Sequence, residues 1–277
     1  MRSGPPGARG SGERPQAAGI LRRRGRRGRI LKSTSVVVRS ILFHVAALAA
    51  VVLLLPLTPL LVFDRRVWSP IVVAYLRVLG WLLKVICGVD HRIDGLEHLP
   101  KAPYLLASRH ESAWEVLFYP LFFDDPVAFA KREIFSYPLG GRIARRGGHI
   151  SIDRSGDLAG IRAAFQSARD TVAAGRSVLI FPSGTRHVEG RDRIQSGVGA
   201  LYDLLGVPCV PVVLDSGRCW PPDSWLKYPG TIHVRIGEPI APGIDRVAFT
   251  ALLKERLGLT EPASPAAVAA EPIHAPR

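Results

Sequence analysis

The chain predicts an α/β domain with a mixed, mostly parallel sheet flanked by helices, preceded by an N-terminal membrane helical hairpin. Three observations carry this. Short apolar runs alternate with helical stretches over residues 90–257, two long apolar segments precede them, and reactive residue types stand directly after two of the short runs. The expected layout is a basic disordered tail over 1–39, the hairpin over 40–89, the α/β domain over 90–258 and a disordered Ala- and Pro-rich tail over 259–277. A chain of 277 residues has room for one such domain and its appendage.

Charge is unevenly spread. Of the formal +14, residues 1–39 carry +10, from ten Arg, one Lys and one Glu. The run Arg22-Arg23-Arg24-Gly25-Arg26-Arg27-Gly28-Arg29 admits two readings, a membrane flank or a nucleic-acid arm. No recognition motif or aromatic interleaving accompanies it, and an apolar run follows, so the flank is preferred and no nucleic-acid partner is expected.

Residues 41–63 form the first apolar segment, which as a helix would be about 35 Å long, enough to cross a bilayer. It is too long for a signal-peptide core, and Pro56 and Pro59 should kink or end the helix in its last third. The second segment, 71–89, is interrupted by Arg77 and Lys84, seven apart and hence on one helical face, as in an interfacial helix. Together they read as a hairpin that dips into one leaflet or crosses and returns, and Arg65 and Arg66 at its bend favour the shallow dip. The alternative is a single-pass anchor followed by a buried core helix. A single pass would export the rest of the chain, whereas a hairpin keeps it cytoplasmic, and the expected location is a bacterial inner membrane with the α/β domain facing the cytoplasm. Cys87, Cys209 and Cys219 offer neither a disulfide framework nor a metal-ligand spacing, so no metal is expected.

Within the α/β domain the expected strands are 104–108, 127–130, 149–152, 178–181, 207–214 and 232–236. Helices are expected over 158–174, 198–205 and 247–257, with Gly175, Gly206 and Gly258 at their ends. In such sheets reactive residues gather at the carboxyl ends of strands and in the loops that follow. His110 and Gly184-Thr185-Arg186 both follow expected strands directly, so they can meet.

His110 and Glu115 are five residues apart, about 140° round a helix, and on one continuous helix could not face each other. The chain must turn between them. Ser112-Ala113-Trp114-Glu115 matches a capping box, so a helix should begin there with His110 in the preceding loop. Glu115 then has two readings, a helix-start carboxylate or the acceptor of a hydrogen bond from one imidazole nitrogen. The second fixes the tautomer and leaves the other nitrogen to take a proton from an attacking hydroxyl. A base with a carboxylate partner, beside a glycine turn carrying an arginine, is equipment for acting on a phosphorylated alcohol.

The segment from His110 to Glu115 resembles the catalytic motif of the phospholipid/glycerol acyltransferase family, which includes lysophosphatidic acid acyltransferase; the family's usual aspartate is here Glu115. Three more blocks match in order. Lys131-Arg132-Glu133-Ile134 with Pro138, Gly141 and Ile152-Asp153-Arg154 is similar to the second. Phe181-Pro182-Ser183-Gly184-Thr185-Arg186 resembles the third, normally written with glutamate before the glycine, and Val207-Pro208-Cys209-Val210-Pro211-Val212 the fourth. The resemblance covers roughly residues 85–258.

It implies a glycerolipid-acyltransferase-type domain that needs no cofactor beyond acyl-CoA or acyl carrier protein as co-substrate. The acyl group would pass to a membrane lysophospholipid, most simply lysophosphatidic acid to phosphatidic acid. His110 would be the general base and Glu115 its orienter. Ser183, Gly184, Thr185 and Arg186 would meet the acceptor's phosphate, with charge added by Lys131 and Arg154, while Pro211 would shape the acyl wall. Ser183 cannot repeat the family glutamate's charge. A different acceptor, compensation by Glu111 or Glu189, or reduced activity would each account for it. Two rivals stay open: an acyltransferase for another lysolipid, such as an amino-acid-containing one, and a catalytically weak lipid-binding protein. Ser183 as a hydrolase nucleophile is disfavoured, because its surroundings are not a nucleophile elbow. His149, His187 and His233 show no metal-ligand spacing, and Asp215-Ser216-Gly217-Arg218-Cys219-Trp220 reads as a substrate-side loop. Arg145 and Arg146 fit either a solvated basic face or a contact to anionic lipid or thioester carrier.

Overall fold

The computed structural model describes residues 16–124, 126–152, 158–187, 190 and 192–259, with side chains from Thr34 onward. Helix α1 spans Gln16–Leu54 and passes directly into a 3₁₀ helix, Leu55–Val62. Its start corrects the expected tail: residues 16–39 are helical, as Ala17, Ala18, Leu21 and the arginines are good helix formers. Residues 1–15 and 260–277 lie outside the described residues. Pro56 and Pro59 fall within the 3₁₀ turn that replaces the α-helix, as their missing N–H groups require. Asp64 accepts a hydrogen bond from the Arg66 N–H (2.9 Å) and caps helix α2, Arg65–Cys87.

Seven strands follow: β1 Val89–Asp94, β2 Leu105–Ser108, β3 Val127–Lys131, β4 Ile150–Ile152, β5 Val178–Ile180, β6 Cys209–Leu214 and β7 Gly230–Ile236. Their order is β1-β7-β6-β2-β5-β3-β4, all pairs parallel except β6 with β7. The mixed, mostly parallel sheet is therefore present, and β1 is the strand not expected. It is an edge strand with one neighbour, and its alternating polar residues Asp90 and Arg92 carry little apolar signal. Helices α3 Trp114–Phe118, α4 Gly140–Arg146, α5 Leu158–Ala173, α6 Gly197–Leu205 and α7 Arg246–Arg256 complete the fold.

Strand alternation sorts the core into two layers. Leu106, Leu179, Val210 and Val212 face a cluster that includes Leu79 and Leu83 of α2 and Trp114 and Phe118 of α3. Leu105, Ala107, Val178, Ile180 and Cys209 face the other, with Ala164 and Ala168 of α5, Leu201 of α6 and Phe249 of α7. Each fully buried large side chain contributes about 2 kcal/mol, so both layers hold the strand order that places the loops.

The two apolar helices lie along the α/β domain. Near one end of the apolar stretch, Phe43 is buried and meets Trp220 edge-on at 6.0 Å. Near the other, Val51, Leu54, Leu57 and Leu61 line a cavity shared with Ile143 and Ala144 of α4. Helices α1 and α2 thus pack against each other and, through Phe43, Leu79 and Leu83, against the core of the domain. The core-helix reading holds for one face of α2, where Trp68, Leu76, Leu79, Leu83 and Cys87 are buried. Elsewhere Val45, Leu48, Leu53, Trp81 and Val85 are exposed, an apolar surface shared by two helices long and apolar enough to cross a membrane.

Candidate functional site

Because β2, β5, β3, β4 and β6 are parallel, their carboxyl ends open on one edge of the sheet. The loop after β2 carries His110 and the loop after its neighbour β5 carries 183–186. The two meet: the His110 ring stacks on Phe181, centroids 4.0 Å apart and planes within 19°.

The loop after β2 turns as its residue pattern requires. The Ser112 hydroxyl accepts from the Trp114 N–H (2.8 Å) and Glu115 Oε1 accepts from the Ser112 N–H (2.8 Å), so the glutamate reaches back as in a capping box, while the N-cap of α3 is Ala113, one residue later than expected and without a side-chain bond. The same Oε1 accepts from the Glu111 N–H (2.7 Å) and lies 2.9 Å from His110 Nδ1. Both readings of Glu115 thus hold at once, and starting α3 is what aims its carboxylate at the imidazole. Oε2 accepts from the hydroxyls of Ser112 (3.2 Å) and Ser216 (2.7 Å).

Glu115 is fully buried. Burial pushes its carboxyl up, yet the hydrogen bond and charge of His110, with donors from Ser112 and Ser216, hold it below the usual carboxylate range. An ionised carboxylate only accepts, so His110 Nδ1 carries the hydrogen and Nε2 is the acceptor nitrogen.

In the second loop Gly184 has φ +69°, a left-handed conformation that costs other residues about 1–2 kcal/mol. The turn is held by Gln195, whose N–H donates to the Pro182 carbonyl (2.9 Å) and whose side-chain amide donates to the Ser183 carbonyl (3.1 Å). The Ser183 hydroxyl is nearly buried and donates to the Thr185 carbonyl at 2.9 Å, so it serves its own turn. Arg186 is half-buried, and Lys131 is exposed at the carboxyl end of β3, the strand beyond β5. Arg154 and Glu189 lie outside the described residues. Glu111 faces Gly217, whose N–H lies 3.4 Å from its Oε2, and Arg109, whose Nε is 3.9 Å from its Oε1.

An apolar cavity of about 520 Å³ runs between the hairpin and the same sheet face. Ala128, Ala130 and Leu179 form its floor, and Phe181, two residues beyond Leu179 on that face, is the ring under His110. His149 closes part of its wall. Its Nδ1 accepts from the Ala128 N–H (3.0 Å), and burial, then the charges of Arg176 and Arg65, lower its pKa to about 4. His187 lies 3.3 Å from Asp223 and His233 3.4 Å from Asp215. Among the described residues no group of three or more His, Cys, Asp or Glu could hold a metal ion, and the three cysteines are buried thiols.

Ser216 is the site residue that sequence reasoning missed. Its segment stood out only as a loop after the fourth block, and nothing in its spacing pointed to Glu115.

Similarity to known proteins extends over most of the chain. The acyltransferase family profile matches residues 90–215. The chain is 33% identical over 210 residues to a 1-acyl-sn-glycerol-3-phosphate acyltransferase of Pseudomonas aeruginosa, covering 74% of this chain and 81% of that one. It is 33% identical over 171 residues to the Cocos nucifera protein of the same name, covering 60% and 54%. The crystal structure of the 1-acyl-sn-glycerophosphate acyltransferase of Thermotoga maritima shares the fold, with TM-score 0.64 and 20% identity over 82% of this chain and 96% of that one.

Proposed function

This chain belongs to the acyltransferase family, and on that footing we propose that it moves a fatty acyl group from acyl-CoA or acyl carrier protein to the free hydroxyl of a lysophospholipid. The favoured acceptor is 1-acyl-sn-glycerol 3-phosphate, giving phosphatidic acid. The observation that carries the reading is the contact of His110 Nδ1 with buried Glu115 at 2.9 Å, on a ring stacked against the first residue of the 181–186 loop.

In this reading His110 Nε2 takes the acceptor's hydroxyl proton as the oxygen attacks the thioester carbonyl. The tetrahedral intermediate collapses with cleavage of the carbon–sulfur bond, and the departing thiolate receives the proton from the imidazolium. Glu115 keeps the tautomer and stabilises the transient imidazolium charge. No acyl-enzyme forms. Gly184 lets the backbone approach the acceptor's phosphate, which Arg186 binds through two parallel N–H groups, with Lys131 and Arg154 adding positive charge. An acyl chain lies in the 520 Å³ apolar cavity beneath. The hairpin rests in the cytoplasmic leaflet of a bacterial inner membrane, its exposed apolar face among the lipid chains and the basic N-terminus at anionic headgroups.

Thioester consumption by membranes containing the protein tests this, with lysophosphatidic acid and other lysolipids beside His110→Ala and Arg186→Gln. Turnover on lysophosphatidic acid, lost in His110→Ala and weakened through the acceptor KM in Arg186→Gln, is the expected result. Turnover on another lysolipid alone would keep the chemistry and assign the changed acceptor to Ser183, whose hydroxyl supplies no carboxylate. If folded protein consumes no thioester above His110→Ala with either carrier, the enzyme reading falls and a lipid-binding role replaces it.

A further inference from the structure

We propose that Ser216 is a positioning residue for the His110–Glu115 pair, and that the segment from Ser216 to Lys227 couples this pair to the seating of helix α1. The proposal rests on the reading of His110 as the base.

Four of the five donors to Glu115 come from its own loop: His110 Nδ1, the N–H groups of Glu111 and Ser112, and the Ser112 hydroxyl. A loop bonded to itself can shift as a unit without breaking any of these. Ser216 differs, because it arrives from the end of β6, 101 residues away in sequence, and donates at 2.7 Å to Oε2 while fully buried. It pins the carboxylate to the sheet. Gly217 adds fit: a Cβ there would stand 3.3 Å from both the Glu111 carbonyl and Oε2, so the two backbones lie in close contact.

The other end of the same segment grips α1. Trp220 meets Phe43 edge-on, and Trp225 meets His44 at 6.4 Å. The Lys227 N–H donates to the Ser40 hydroxyl (2.9 Å), while its ammonium lies 4.1 Å over the Trp220 ring and donates to the Trp225 carbonyl (2.9 Å). Ser40, Phe43 and Lys227 are all buried. Backbone bonds stiffen the piece between. Trp220 N–H donates to the Ser216 carbonyl (2.8 Å) and Tyr228 N–H to the Cys219 carbonyl (2.8 Å). A rigid strap therefore has the catalytic carboxylate at one end and the start of the apolar helix at the other. Lifting α1 from the domain would release Trp220 and loosen Ser216.

The test uses the full chain in lipid vesicles with lysophosphatidic acid and acyl-CoA. Ser216→Ala should lower kcat about ten- to a hundredfold, as expected for a lost hydrogen bond to a charged group, with KM changed less than about twofold. Losing a donor makes the carboxylate more basic, so the acid limb of the pH–rate profile should move to higher pH. The neighbouring titratable groups Glu111, Arg109, Asp215 and Tyr119 are untouched by the substitution. Ser216→Thr, which keeps the hydroxyl, should restore both kcat and the limb. A kcat within twofold of wild type, or a fall of equal size at every pH with no shift, overturns the positioning role. Phe43→Ala should move the limb the same way by less, and the double variant should be no worse than Ser216→Ala alone; additive losses overturn the coupling. Should Ser216→Ala not fold, Ser216→Cys, a weaker donor of similar shape, takes its place. If wild type turns over neither this nor another lysolipid, the functional reading has failed. Titration of the labelled His110 ring by NMR, assigned with His110→Gln, still decides the positioning role: an upward shift in Ser216→Ala supports it and an unmoved titration overturns it.

Discussion

Replacing Glu115 with Gln isolates the charge of the carboxylate from its geometry. The amide oxygen can occupy the Oε1 position and keep the bonds from His110 Nδ1 and from the Glu111 and Ser112 N–H groups. The amide nitrogen then faces the hydroxyls of Ser112 and Ser216, which can rotate to accept. Folding should therefore survive with a lowered melting temperature, because the amide keeps the bonds but loses the charge interaction with His110 that, with the Ser112 and Ser216 donors, outweighs desolvation for the carboxylate. Catalysis should not survive. The transition state carries an imidazolium beside this group, and two unit charges about 4 Å apart interact by about 4 kcal/mol at an effective dielectric of about 20. Losing that attraction lowers kcat roughly a thousandfold. Without the negative neighbour the imidazole takes up a proton less readily, so the acid limb of the pH–rate profile moves to lower pH, opposite to Ser216→Ala. Free-thiol release from acyl-CoA, followed against pH, reads both quantities. A variant within tenfold of wild type, with an unmoved acid limb, would refute the role given to this carboxylate.

Three further outcomes follow from the same geometry. Gly184→Ala forces a Cβ into φ +69° and should destabilise the protein by about 1–2 kcal/mol while raising the acceptor KM, read by thermal melts and kinetics. Ala130→Phe projects a ring into the 520 Å³ cavity and should shift products toward shorter acyl chains, read by mass spectrometry of the lipids formed; an unchanged profile would remove the cavity from acyl binding. His149, held to about 4 against an unfolded value near 6.5, resists protonation in the native state. Its contribution is complete above about pH 6.5 and is lost as pH falls toward 4, up to about 3 kcal/mol, and urea midpoints for wild type and His149→Asn should show a shallower acid slope in the variant.

Local patterns were readable without the fold. Short apolar runs marked six of seven strands, because a strand covered on both sheet faces must be apolar at successive positions whatever its neighbours in space. Gly175, Gly206 and Gly258 are all left-handed, as helix ends require. The turn between His110 and Glu115 followed from helix geometry alone, and the capping residues that make it are adjacent in sequence. Proline marked where α1 gives way to a 3₁₀ turn.

Legible in the chain were features set within a few residues: the type of most elements, the glycine-marked helix ends, and the residue chemistry carried by each loop. The tertiary structure decided which loops meet. Strand β1 pairs with β7, and its alternating polar residues leave too little apolar signal to announce it. The start of α1 was hidden because a charged segment without tertiary contacts has only helix propensity to mark it. Whether the hairpin leaves the domain or lies along it depends on Trp220 reaching Phe43 and on Ile143 facing the same cavity as Leu57. Ser216 reaches Glu115 because β6 lies beside β2 in the sheet. A hydrogen bond across 101 residues depends on strand order, which is fixed by burial on both sheet faces and leaves no trace in local spacing.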